Sequence, residues 1–395
     1  MAALLTGDWN YPTKIAFGAG RLQELPRHCA ALGMKKPLLV TDEGLAQSPI
    51  VKAALDASES GGIAPLLYAG VKGNPTGKNV TDGTAFYQDN GCDGVIAFGG
   101  GSALDAGKAV ALMAGQSRPL WDFEDEGDNW RRVDESGVAP VIAVPTTAGT
   151  GSEVGRASVI TCTETETKKI IFHPKMLPAL VIADPALTLG LPPHLTAATG
   201  LDAFIHSFEA FCAPGFHPQA DGIALEGMRL AARYLPHAYA HGDDLRARAY
   251  MLAASMMGAA AFQKGLGGVH ALAHPLGALY DKHHGLLNAV LLPYVMVANR
   301  DVIAEKMRQF SRAIDLEQEN FDAVLGWVLM MRETLGIPHS LAEIGIPDGA
   351  AEKIGAMALQ DPSSGGNPLP LTAAQYAEIF RAAHSGDLNA VQVAA

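Results

Sequence analysis

The sequence predicts an α/β domain over residues 1–189 followed by an all-helical domain over 190–395. Three observations carry this reading. Short apolar runs alternate with helix-patterned stretches through the first half; after Leu191-Pro192-Pro193 the composition turns to Ala, Leu, Met and Gly with long helical patterns; and 395 residues suit two domains better than one.

The apolar runs are Pro37–Asp42, Ala64–Tyr68, Gly94–Phe98 and Pro140–Val144, and between them Ile50–Ser60 and Val80–Asn90 carry helical patterning. Strands spaced by helices build a parallel sheet covered on both faces. Ligands of such a sheet sit at the carboxyl ends of its strands. Val159–Thr161 and Lys169–Phe172 flank the polar Glu164–Thr167 and predict a hairpin, and Leu180–Ala183 predicts a last strand. Beyond the composition change, Gln219–Tyr234, Asp244–Gln263 and Phe321–Thr334 read as helices.

With 48% hydrophobic and 18% charged residues the chain can build a large core, and its net charge of −12 argues against nucleic acid or an anionic membrane as main partner. Cys29, Cys92, Cys162 and Cys212 are scattered without a C-x-x-C pair, which points away from a disulfide framework and from a thiolate zinc site. The start Met1–Asp8 has neither a basic stretch nor a long apolar one, and no run approaches twenty apolar residues. A cytoplasmic protein is expected.

Two pairs in the second half have metal-ligand spacing. Asp202 and His206 are four apart, as are His270 and His274, and His283-His284-Gly285 follows. On a helix that spacing puts both side chains on one face, one turn apart. A carboxylate with several imidazoles suits Fe(II), Zn or Mn rather than Ca or Mg. Taken alone, either pair also fits ordinary core or surface residues. The Gly- and Ala-rich apolar surroundings favour the metal reading, because a buried Asp or His there needs a partner.

The first half carries polar loops at strand ends. Gly99-Gly100-Gly101-Ser102 follows a strand and opens a helix, so backbone N–H groups can approach a pyrophosphate. It is not a G-x-G-x-x-G fingerprint, since Leu104 holds the third glycine's place, nor a Walker A loop, since Ser102 and Ala109 break that pattern. The alternative is a plain strand-to-helix turn. Pro145-Thr146-Thr147-Ala148-Gly149-Thr150-Gly151-Ser152-Glu153 adds a second loop rich in hydroxyls and glycine, and Asn74-Pro75-Thr76 a third polar turn. Asp42 ends its strand, where a carboxylate accepts from an adenosine ribose and repels a 2′-phosphate; NAD is therefore expected over NADP. A capping role for Asp42 is the alternative.

Together these residues resemble the iron-containing (group III) alcohol dehydrogenases, whose fold is like that of dehydroquinate synthase. The resemblance runs from Asn10-Tyr11-Pro12 to about Asn367. It rests on the two glycine-containing loops, on Ala198-Thr199-Gly200-Leu201-Asp202-Ala203, and on Val269-His270-Ala271-Leu272-Ala273-His274-Pro275-Leu276-Gly277 with His284-Gly285. It implies that Asp202, His206, His270 and His284 bind Fe(II), with Zn the alternative. It places His274 beside the nicotinamide as a proton-relay candidate, although a helix-packing role fits too. Gly99, Gly100, Gly101, Ser102, Thr146, Thr147 and Thr150 would hold NAD, with Asn74 in the third turn, and Asp42 would be the NAD-selecting acid. His283 adjoins a ligand but has no matching role, and is expected either to support that ligand from behind or to be structural.

The implied reaction is reversible hydride transfer between a primary or secondary alcohol and NAD, the metal serving as Lewis acid. Lys264, helped by Arg156, is a candidate anchor for an anionic substrate such as a hydroxy acid, the alternative being a pair with a structural acid. The small Ala157, Ala261 and Ser363 align with pocket positions and leave room for a longer alcohol. A lyase or cyclase of the dehydroquinate synthase type, a hydroxyacid-oxoacid transhydrogenase with bound NAD, and a binding protein without turnover are the competing functions. The chain is expected to form a homodimer and to act on a small alcohol or aldehyde, with no nucleic-acid or membrane partner.

Overall fold

A computed structural model of the chain describes residues 7–9 and 13–393; Asn10-Tyr11-Pro12, where the family resemblance begins, lies outside the described residues. The chain divides into two compact units, one of Met1–Thr147 with Gly151–Gly190 and one of Ala148–Thr150 with Leu191–Ala395.

Among the described residues the first unit is built on nine strands: β1 (Gly7–Trp9), β2 (Ile15–Phe17), β3 (Leu38–Asp42), β4 (Leu66–Val71), β5 (Val95–Gly99), β6 (Val141–Pro145), β7 (Ala157–Cys162), β8 (Thr167–Phe172) and β9 (Leu180–Ala183). Its helices are α1 (Leu25–Ala31), α2 (Pro49–Ser60), α3 (Gly77–Asp89) and α4 (Gly101–Met113). Seven strands form one sheet in the order β1-β2-β9-β6-β5-β3-β4, parallel except for the β1–β2 edge. β7 and β8 pair separately as the expected antiparallel hairpin. Burial on both faces explains the unbroken apolar runs: Val95, Ile96, Ala97 and Phe98 of β5 are all inaccessible to solvent. Local chemistry starts the helices. Ser48 accepts from Val51 N with Pro49 at the first position of α2, and Thr76 and Asn79 form a reciprocal capping box on α3.

The strand order reverses at β3. β4 lies on one side of it and β5 on the other, so the carboxyl ends of β3 and β5 flank a topological switch point, where doubly wound sheets bind ligands. Asp42 and Gly99 occupy those ends. Sequence patterning does not reveal β2, because three residues are too few to show a period. The strand exists through its parallel register with β9, Ile15 to Val181 and Phe17 to Ala183.

The second unit is helical: α5 (Pro193–Cys212), α6 (Pro218–Ala240), α7 (Leu245–Ala261), α8 (Gly268–Tyr280), α9 (His284–Ala298), α10 (Arg300–Ala313), α11 (Phe321–Thr334), α12 (Ala351–Gln360) and α13 (Ala373–Ser385). α5 packs against α6, α7 and α9 and is buried nearly all round, so its one-sided apolar pattern is weak. α6 runs six residues past Tyr234, through Pro236, because Leu235 just before the proline and Ala238 beyond it both remain buried. α7 stops at Ala261, and Phe262–Lys264 continue as a 3-10 turn. Among the described residues no single helix is long and apolar enough to cross a membrane. All four cysteines are buried and free.

Candidate functional site

In the first unit the three polar turns take defined shapes. Gly99 has φ +144°, a conformation that only glycine adopts readily, and Gly100 precedes α4 without any side chain capping the turn. The amides opening α4 therefore remain available to a phosphate. Thr146 N donates to Gly99 O at 3.0 Å, and a Cβ on Gly100 would approach Thr147 Cγ2 to 3.3 Å, so the two loops lie side by side. Asn74 has φ +53° and accepts from Lys168 Nζ at 3.0 Å, while Pro75 O accepts from Thr161 N, which pins that turn to the β7–β8 hairpin. Asp42 Oδ1 accepts from Leu45 N at 3.0 Å, so the strand-end carboxylate caps the following turn with one oxygen. Lys108 does not face the glycine loop. Its buried ammonium donates to the carbonyls of Ser152 and Ala157 and lies 3.4 Å from Asp105, joining α4 to the start of β7; burial lowers its pKa.

In the second unit α5, α8 and α9 bring Asp202, His206, His270 and His284 together, with one donor atom of each within 4.8 Å of the others. Asp202 Oδ1 lies 4.0 Å from His270 Nε2 and 3.8 Å from His284 Nε2, and the His206 and His270 rings stack at 4.6 Å. The set fits a first-row divalent cation: one anionic oxygen and three imidazoles, three of the four residues buried. Burial drives the His206 pKa down to about 4 against the pull of Asp202, which keeps that imidazole in the neutral form a metal needs. Burial also opposes charge on His270, but the carboxylates of Glu209 and then Asp202 outweigh it, and its pKa lies above the usual histidine value.

Glu209, which sequence reasoning missed, organises this corner. It lies on α5, three residues beyond His206. Its Oε1 accepts from Val269 N at 2.7 Å, satisfying one of the free amides at the start of α8, and its Oε2 lies 2.5 Å from His270 Nδ1. Asn367 Oδ1 takes the neighbouring Gly268 N at 3.0 Å. With Nδ1–H directed at a carboxylate, Nε2 of His270 is left as the ligand atom. The i, i+3 spacing of Glu209 from His206 was the available signal. His283, by contrast, caps α9 by accepting from Leu286 N, the structural one of the two roles considered for it.

Gly285 lets His284 reach this cluster. A Cβ there would stand 2.4 Å from Ala198 O, a backbone atom of α5 that cannot yield. Gly285→Ala is expected to push α9 off α5, lower stability by about 1–3 kcal/mol and reduce metal stoichiometry. Thermal unfolding with metal analysis of the purified variant checks this.

Beside the four donors, His274 stacks on His284 with ring centroids 5.3 Å apart, and its Nδ1 lies 2.8 Å from Asp361 Oδ2. Burial would raise the Asp361 pKa, but His274 and Ser363 together hold it below the ordinary carboxylate value. Ser363 N donates to Asp361 Oδ1 at 2.9 Å, which places that candidate pocket residue next to the His274 partner. Ala261 is buried at the end of α7, immediately before Phe262, whose ring centroid lies 5.2 Å from that of His206. Ala157 begins β7 in the other unit.

Lys264 has a different partner from the anionic substrate considered above. Its ammonium lies 2.6 Å from Asp221 Oδ1 and 3.4 Å from Phe211 O, and its side chain is only 3% exposed. Lys306 holds the other Asp221 oxygen at 3.0 Å. Nor is Arg156 free of contacts: its guanidinium lies over the Phe172 ring at 5.7 Å.

The family model for iron-containing alcohol dehydrogenase matches residues 12–185, and that for the C-terminal part of the Fe-containing alcohol dehydrogenases matches 196–384. The chain is 40% identical over 377 residues to 4-hydroxybutyrate dehydrogenase of Cupriavidus necator, covering 93% of this chain and 97% of that one. The crystal structure of a 1,3-propanediol oxidoreductase superposes with a TM-score of 0.86 at 36% identity over 93% of this chain and 97% of that chain. Sulfoacetaldehyde reductase from Bifidobacterium kashiwanohense, in complex with NAD+, gives 0.84 at 28% identity over 94% and 96%. Two family models spanning both units, and relatives of this identity and coverage, show that the chain belongs to the iron-containing alcohol dehydrogenase family, metal-dependent oxidoreductases that link alcohol oxidation to NAD.

Proposed function

We propose that this chain oxidises a small primary alcohol carrying a second polar group, a hydroxy acid or diol, with NAD and a cation held by Asp202, His206, His270 and His284. The observation that carries the reading is the convergence of those four donors next to the His274–Asp361 pair. Bound there, the cation supplies Lewis acidity to the alcohol oxygen. The chain's own residues do the rest. Glu209 fixes the His270 ring, Asp361 fixes the His274 ring, and His274 Nε2 is the group placed to carry the alcohol proton away. The hydroxy-acid class is supported by the similarity to 4-hydroxybutyrate dehydrogenase, and the small Ala157, Ala261 and Ser363 suit a chain longer than ethanol. Lys264 is assigned to the Asp221 ion pair, not to the substrate.

The deciding experiment strips the protein with chelator, reloads it anaerobically with Fe(II), Zn or Mn, and follows NADH formation on a panel of hydroxy acids, diols and simple alcohols. Metal-dependent, linear NADH production without an added acceptor is expected, which also separates this function from a lyase and from a transhydrogenase that keeps its NAD. Undiminished turnover by verifiably metal-free protein would sink the reading.

For the dinucleotide we propose that Gly99, Gly100, Gly101, Ser102, Thr146, Thr147 and Thr150 hold the phosphates and nicotinamide side, with Asn74 lining the neighbouring turn. The unfilled amides opening α4 at the switch point support this. Asp42 then selects NAD by repelling a 2′-phosphate. Asp42→Gly is expected to raise kcat/KM with NADP at least ~10-fold while leaving NAD use within a few-fold, measured with both cofactors on one alcohol. A homodimer in the cytoplasm completes the proposal, and light scattering on the purified protein tests the dimer.

A further inference from the structure

Two loops of the helical unit touch each other, and each also touches one side of the site. The first, from Phe262 to Gly267, joins α7 to α8, and the Phe262 ring lies 5.2 Å from the ring of His206. The second is the turn Pro362–Gly366 after α12; Asp361, which caps it, lies 2.8 Å from Nδ1 of His274. Where they meet there is no room for a side chain. A Cβ on Gly366 would fall on Leu266 O, a backbone atom that cannot yield, and one on Gly265 would come within 3.4 Å of Gly366 Cα.

Asn367 locks this joint. Its Oδ1 accepts from Gly268 N, the first amide of α8, at 3.0 Å and from Asn299 Nδ2 at 3.0 Å, while its Nδ2 donates to Asn299 Oδ1 at 2.9 Å and to Leu369 O at 2.6 Å. Both asparagines are only 4% exposed. An amide has two acceptor and two donor positions, and here all are filled, so the group can neither flip nor slide. Capping a turn needs one such bond. The remainder fixes the end of the second loop to the start of α8, the helix that carries His270 and His274. Reacting groups need that kind of fixity, since a displacement of ~1 Å can cost ~10²-fold in rate. We propose that Asn367 and Gly366 are positioning residues for the alcohol oxidation: they hold the loop behind Phe262 against the turn behind Asp361, and so set the spacing between the four-donor cluster and His274. The inference rests on the reading of that cluster as a metal site and of His274 as the relay.

The full-length protein is compared with Gly366→Ala, which pries the loops apart, Asn367→Ala, which unties them, and Gly365→Ala. A Cβ on Gly365 meets nothing within 4 Å, so that variant loses the same glycine freedom without the overlap. In histidine-labelled protein loaded with Co(II), the NMR shift that the ion imposes on the His274 ring depends on their separation. Gly366→Ala and Asn367→Ala are expected to change that shift, to lower kcat per bound metal ~10- to 100-fold, and to leave KM for NAD within about twofold of wild type. Gly365→Ala is expected to match wild type in all three. Should one of the two test variants fail to fold, the other decides. Should both fail, Asn299→Ala replaces them with the same signs expected, because it loosens the Asn367 amide yet leaves Gly268 N its acceptor. A lower unfolding temperature with the His274 shift and kcat per bound metal unchanged would overturn the inference, leaving the joint a stabilising contact only. A wild type that forms no NADH on any alcohol of the panel would instead remove the reading beneath it.

Discussion

Asp202→Asn is expected to lower kcat/KM by at least ~10³, the loss of ~4 kcal/mol of transition-state stabilisation. Asp202 is the only anionic donor of the four, so the substitution leaves a cation among neutral ligands and should strip it at ordinary metal concentrations. The change is nearly isosteric, and it removes a charge from a residue only 2% exposed, so the metal-free fold should survive. Asn288 Nδ2, 2.7 Å from Asp202 Oδ1, can still donate to the amide oxygen that replaces it. Two readings together make the test sharp. Metal content should fall well below one per chain, and the rise in unfolding temperature that added metal gives the wild type should vanish, while the metal-free unfolding temperature stays close to wild type. A variant that retains stoichiometric metal and more than ~10% of the rate would remove Asp202 from the ligand set.

Much of this site could be read before any coordinates, because its parts repeat with the period of a helix. Asp202 with His206 and His270 with His274 announce themselves at i, i+4, and α5 and α8 deliver both pairs. The loops at Asp42 and Gly99 were legible because strand ends in a parallel sheet are where ligands go, and β3 and β5 prove to flank the strand-order switch. What the sequence could not supply is pairing across distance. Asp361 lies 87 residues from His274, and Asp221 lies 43 residues from Lys264; neither relation leaves a periodic trace. Lacking its partner, Lys264 looked like a free cation beside the metal motif. Glu209 and Asn288 share faces with His206 and His284, but a polar residue one turn from a ligand reads equally well as solvent-facing until burial is known. β2 and the passage of α6 through Pro236 fail for a related reason. Both exist because of neighbours, the register of β9 and the packing beyond the proline, and not because of local pattern.

Asp361→Asn should cost ~10² in kcat while leaving metal content and alcohol KM within a few-fold. The outcome depends on which end of the new amide faces the imidazole. Asp361 uses Oδ1 to accept from Ser363 N at 2.9 Å and Oδ2 to accept from His274 Nδ1 at 2.8 Å. An asparagine caps a turn as well as an aspartate does, so Oδ1 stays on Ser363 N and the turn from Pro362 to Gly366 is preserved. That choice leaves Nδ2 toward His274. An NH₂ needs an acceptor, so Nδ1 must give up its proton and Nε2 must carry one. The ring keeps its place against His284 but holds the wrong tautomer, with no lone pair left at the atom assigned to take the alcohol proton. A merely structural Asp361 predicts the reverse: a lower unfolding temperature or lost metal, with the surviving fraction turning over at the wild-type rate. Steady-state kinetics with metal analysis separate the two, and nitrogen NMR of the His274 ring should show the exchange of the protonated nitrogen directly. A fully metallated variant with kcat within twofold of wild type would end the relay role given to His274.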